Sequence, residues 1–240
     1  ARGMSESQRT SFLARVAAAV RAGNKYREAS PRELPPTVGY LGAGDDPIGR
    51  LTDELTLVGA QPIRVQTPEA AASAVRAIVE RFAVRRAVSN SARVLDEIGI
   101  GEILRASNVD VTTTDELAGM DESQRRDRLF AAALGIASPD WAIAETGSLV
   151  YASGSAQTRS ATLLPPVHLA VVDCSSVLND LLDLPPQLEK LSVDGVLPRN
   201  VALVTGPSKT GDIELKLTTG VHGPGEVQVL IWDAPLIQDQ

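Results

Sequence analysis

The chain has 240 residues, of which 43% are hydrophobic and 22% charged, enough to bury one large domain or two small ones and too apolar for a disordered chain. A net charge of -7 and a pI near 5.0 give no electrostatic footprint for a nucleic-acid backbone, and 3% aromatic residues leave no stacking platform for single strands. The single cysteine, Cys174, excludes an internal disulfide and any iron–sulfur cluster held by this chain alone, which needs about four thiolates. The two histidines, His168 and His222, are too far apart for zinc spacing, so no metal site is expected.

Ala1-Arg2-Gly3 before Met4 reads as a cloning remnant, with Met4 as the natural start. No leader pattern and no run of about eighteen apolar residues is present, so a cytoplasmic chain without a membrane span is expected. Leu13, Val16, Ala17 and Val20 recur at helical spacing and predict an amphipathic helix. Polar, proline-bearing Asn24 to Pro36 then reads as a linker, so residues 1–36 form an extension and 37–240 a single α/β domain. In Leu41-Gly42-Ala43-Gly44-Asp45-Asp46-Pro47 a proline stands where a dinucleotide fingerprint needs glycine or alanine. A proline-started helix after a glycine turn is predicted instead.

Thr67 to Phe82 carries apolar residues on one face and is the cleanest helix. An extended piece, Arg85 to Ser89, leads into the strand-end loop Asn90-Ser91. Asp121 with Gln124 makes a capping box for a helix through about Leu134. WAIAE and SLVYAS, separated by Thr-Gly, predict a hairpin or bent strand. HLAVVD, VALVTG and VQVLIWD read as strands buried on both faces, with short helices over Ser175 to Leu182 and Pro186 to Leu191. The alternation predicts an α/β fold, a mostly parallel sheet with flanking helices.

Two polar loops draw chemical interest. Glu145 ends WAIAE and could act as a base or carboxylate nucleophile, while Thr146, Gly147 and Ser148 could present backbone amides to an oxyanion. The same four residues also suit a plain strand-ending turn. Gly206-Pro207-Ser208-Lys209-Thr210 fails the P-loop pattern, because Ser208 and Leu203 stand where glycines belong, and fails the nucleophile elbow at Thr210. It nevertheless follows an apolar strand and precedes a short predicted helix capped by Ser208 or Thr210, where α/β folds bind anions; from spacing alone, a capped turn with a solvated lysine is the favoured reading. Arg159 is a candidate carboxylate clamp. His222, in a glycine-proline turn, is a better proton carrier than His168, and Cys174 reads as a small packed residue.

AETGSLV at Ala144 to Val150, LLPPVHLAVV at Leu163 to Val172, and TGPSKTGDIE with GVHGPGEVQVLIWD through Asp233 resemble, in order and spacing, the lactate-utilisation protein C family, the LUD domain. The resemblance implies a fold related to sugar-phosphate isomerases and coenzyme A transferases. It also implies a part in oxidising L-lactate to pyruvate beside two partner proteins that carry iron–sulfur clusters, with no cofactor on this chain itself. Where the family usually reads Ser-Arg-Thr-Ala-Asp-Ile-Glu, this chain has Ser208-Lys209-Thr210-Gly211-Asp212-Ile213-Glu214, and lysine lacks the bidentate fork. The leading expectation is a non-cluster subunit. In it, Thr146, Gly147, Ser148, Arg159, Gly206, Ser208, Lys209 and Thr210 would bind a small organic anion in a cleft, and Glu145 or His222 would move a proton. The alternatives are a non-catalytic scaffold and a stand-alone transferase or isomerase acting on a thioester or sugar phosphate.

Overall fold

The computed structural model describes residues 6–24, 42–153, 159–191, 198, 200–210 and 218–234, in two compact units, Ala1–Tyr40 and Leu41–Gln240. The first contains the predicted helix, α1 (Glu6–Asn24), whose Phe12, Leu13, Val16 and Val20 are exposed. The predicted linker beyond Asn24 lies outside the described residues.

The second unit is built on a wholly parallel six-stranded sheet. Its strands are β1 (Gln61–Val65), β2 (Arg86–Ser89), β3 (Asp110–Thr113), β4 (Leu134–Ala137), β7 (Val167–Asp173) and β12 (Glu226–Trp232), in the spatial order β1-β12-β7-β4-β2-β3. Along β7 the side chains alternate. Val167, Leu169 and Val171 join a core with α3 (Pro68–Arg81), α4 (Arg93–Ile98) and α5 (Ile100–Ala106). Ala170 and Val172 face the other side, where Leu51 and Leu55 of α2 (Pro47–Val58) pack. Pro47 at N1, with Asp46 accepting from Gly49 N at 2.9 Å, starts α2 as the proline predicts.

A second, four-stranded sheet covers that same side, in the order β8-β5-β6-β9: β5 (Trp141–Ile143), β6 (Ser148–Ala152), β8 (Val177–Leu178) and β9 (Val201–Val204). β5 and β6 form the antiparallel hairpin expected from the Thr-Gly break. The inner face, with Leu149 and Tyr151, joins the core against the large sheet, while Ile143 and Val150 pack outward with Leu184 of α9 (Leu184–Lys190). Farther along, α6 (Thr114–Ala118), α7 (Glu122–Ala131) and α8 (Arg159–Leu163) bury Leu117, Leu129 and Ala161 against Val88. A short ribbon pairs β10 (Lys209–Thr210) with β11 (Thr218–Thr219).

Several expectations change. The helix begun at the Asp121 capping box stops at Ala131, and Leu134 opens a strand; all four residues of β4 are buried between β7 and β2. Among the described residues β9 is an edge strand that pairs with β6 only, antiparallel, and Leu203 is 46% exposed; apolar alternation does not distinguish an edge from a centre. Ser175 to Leu182 is two 3-10 turns around β8 rather than a helix. Lys209 and Thr210 are strand, and the rest of the helix expected there lies outside the described residues.

Candidate functional site

The Glu145 turn is pressed onto α2. Gly147 adopts φ +63, and a Cβ there would lie 2.8 Å from the backbone of both Glu54 and Leu55, so only glycine allows this approach. Glu145 is half-buried and its amide donates to Asn179 O at 3.1 Å. Thr146 Oγ1 donates to Ser148 Oγ at 2.8 Å, and the buried Ser148 hydroxyl lies 2.7 Å from Thr205 Oγ1. The turn is thereby tied to the segment that follows β9, the two loops that the sequence sets apart by some sixty residues.

The second loop meets the same helix at its end. Gly206, at φ +78, approaches Val58 so closely that a Cβ would sit 2.7 Å from its carbonyl oxygen. Lys209 Nζ donates to that same Val58 O at 2.6 Å. Its charge therefore complements the carbonyl pole of α2. The loop thus lies against a helix C-terminus, which disfavours anions, and follows a strand paired antiparallel; the helix expected to begin after it falls outside the described residues. Ser208 N donates to Pro224 O at 2.9 Å and Ser208 O accepts from Gly220 N at 3.0 Å. Thr210, in β10, holds the ribbon with Thr218. These bonds bring the His222 turn beside Ser208, where His222 is exposed.

Arg159 stands elsewhere, at the start of α8. It lines a small apolar recess of about 20 Å³ with Asn90, Tyr151, Ala152, Leu163 and Val204. Asn90, 3% exposed, follows β2. The recess adjoins a topological switch point. From β2 the chain runs out through α4 and α5 to the edge strand β3, whereas from β4 it runs the other way, to β7. Open α/β sheets bind ligands where such connections diverge.

Under this recess lies a buried pair that the sequence did not reveal. His168 Nδ1 is 3.0 Å from Gly135 O and its Nε2 is 2.8 Å from Tyr151 Oη. A carbonyl can only accept, so Nδ1 carries the proton and Nε2 accepts from the phenol. Burial pushes the imidazole down to about 4, keeping it neutral, and raises the Tyr151 phenol, with Asp140 adding to the effect. His168 thus holds Tyr151 in place, the role weighed less heavily than that of His222. At the carboxyl ends of β1 and β12, Asp233 accepts from Arg64 Nε at 2.7 Å and Gln66 Nε2 at 3.1 Å, which holds its carboxyl below the ordinary range. Burial, then Asp233, pushes the Cys174 thiol up to about 12, which disfavours its thiolate form. Among the described residues no cluster of three His, Cys, Asp or Glu is placed to hold a metal, and no helix is long and apolar enough to cross a membrane.

Comparison with known proteins adds that the LUD domain model matches residues 48–232. The chain belongs to the LUD domain family. The match takes in α2 and the whole parallel sheet, well beyond the motifs after Trp141 that carry the resemblance. A lactate utilization protein C from Halalkalibacterium halodurans is 28% identical over 61% of this chain and 62% of its own length. An uncharacterized protein, NMB1437, from Neisseria meningitidis serogroup B is 40% identical over 40% of each chain. The chain thus spans less than two thirds of these relatives. A DUF162 family protein from Deinococcus radiodurans has a TM-score of 0.51 at 19% identity, covering 78% of this chain and 96% of that one, which speaks to the fold of the LUD domain alone.

Proposed function

We propose that this LUD-domain chain is a non-cluster subunit of a system that oxidises L-lactate to pyruvate, working with iron–sulfur partner proteins and handling a small organic anion. The observation that carries the reading is the LUD match over residues 48–232, with relatives that bear the name lactate utilization protein C. One cysteine supports the division of labour, since a cluster must then sit on another chain.

A second reading, a scaffold that docks partners without touching substrate, is favoured by one feature. Gly147, Gly206 and Lys209 all engage α2, so both loops have structural work of their own. Affinity purification from the native host grown on L-lactate tests the proposal. Brown, cluster-bearing proteins and lactate oxidation in the eluate are expected; a colourless lone chain under gentle conditions overturns it. If the eluate oxidises lactate but the chain itself binds no organic anion, the scaffold is the better account.

A further inference from the structure

We propose that two copies of this chain associate by exchange of α1, the helix of one copy docking on the Leu181–Leu182 turn of the other, beside Glu145 and Asp183.

The helix has a face that needs a partner. Phe12, Leu13, Val16 and Val20 share one side of α1, at spacings of three, four and seven residues, and each is exposed. A helix of 19 residues draws most of its stability from packing such a face, because propensity alone leaves short helices marginal in water.

Charge says what can cover it. Residues 1–40 hold seven Lys and Arg against three Asp and Glu, a net +4. Residues 41–240 hold 16 against 27, a net -11, and the two sum to the -7 of the whole chain. Arg9, Arg15 and Arg21 of α1 are exposed, so two copies of α1 repel one another and each is drawn to an acidic surface. The α/β unit of a second copy supplies one.

On that unit the Leu181–Leu182 turn combines exposed apolar surface with acidic neighbours. Leu181 and Leu182, in the 3-10 turn Leu181–Asp183, are 46% and 72% exposed. Asp183 Oδ2 accepts from Asn179 N at 3.2 Å, and Asn179 O accepts from Glu145 N at 3.1 Å, which sets Glu145 beside the turn that Asp183 ends. The two leucines meet the apolar face of an incoming α1, and the two acidic residues complement its arginines, the mode in which an amphipathic helix lays one face on a partner. Each copy gives one helix and receives one, so the association closes at two chains.

Sedimentation equilibrium on the purified full chain tests this. Each contact is one helix on one turn, so a weak pair is expected: single chains at about 1 µM and pairs at about 200 µM, with added salt weakening the association. Val16→Asp, which puts a charge into the apolar face, and Leu182→Arg, which sets like charge against the arginines, should each weaken it at least about tenfold. Both positions are exposed, so both variants should keep the parent's melting transition in dilute solution. A single species throughout that range overturns the proposal. So does a pair that Leu182→Arg leaves intact, since α1 would then meet another surface. Binding of the unpaired full chain to vesicles of anionic phospholipid overturns it likewise, by assigning the α1 face to a lipid surface.

Discussion

His168 is buried, neutral and engaged through both ring nitrogens, and its titration is tied to folding. Its pKa falls from 6.5 in the open chain to about 4 in the fold, so between those values the unfolded chain binds the extra proton. The stabilisation is complete above pH 6.5 and is lost as pH falls toward 4, a total of roughly 3 kcal/mol. Urea unfolding at steps from pH 7.5 to 4 should show that decline, and His168→Gln, which cannot titrate, should flatten it. Asp140 works in the opposite sense, because burial raises its carboxyl and acidification relieves that cost. An unchanged slope in the variant would move the pH dependence to other groups. At this scale the sequence names both histidines but not their roles. His168 follows two prolines and opens an apolar strand, and nothing in that pattern says that Tyr151, on another sheet, reaches it.

Elements in this fold are set by close backbone approach as much as by periodicity. Gly135 in β4 is the sharpest case: a Cβ there would fall 1.8 Å from Ala161 O of α8, and backbone cannot swing aside as a side chain can. Gly135→Ala should therefore cost several kcal/mol, about the 3 kcal/mol or more of an overpacked core, or yield no soluble protein. Gly44→Ala is the contrast. Its φ of +68 is strained for alanine, but no atom lies within 4 Å, so a loss of only about 1–2 kcal/mol is expected by chemical denaturation. Similar losses at the two positions would mean that α8 does not sit on β4 as described. The capped helices were legible because their signals are local: Thr67 accepts from Ala70 N, and Asp121 exchanges both bonds of its box with Gln124. β4 was not, since Leu134-Gly135-Ile136-Ala137 continues the apolar character of the helix before it, and burial on both faces removes any alternation.

For the molecule as a whole, the buried clusters draw their residues from Ala43 onward, and the LUD match begins at residue 48. Residues 41–240 should then fold without residues 1–40. A truncated chain is expected to give the same single cooperative melting transition as the full one, by circular dichroism at matched concentration. A lower or broadened transition would show that the first unit contributes to the core.

What the sequence by itself determined is what short-range chemistry can encode. The α/β class followed from alternating periods, the proline start of α2 from its local residues, the β5–β6 hairpin from its Thr-Gly break, and the family from motifs in order. The site is a different matter. Whether Lys209 faces an anion or the carbonyl pole of α2, whether VALV is a centre or an edge, and whether Arg159 and Tyr151 share one recess all depend on strand order and on which sheet covers which face. Those are contacts between residues far apart in the chain, decided by how the apolar faces close against one another, and no local pattern carries them.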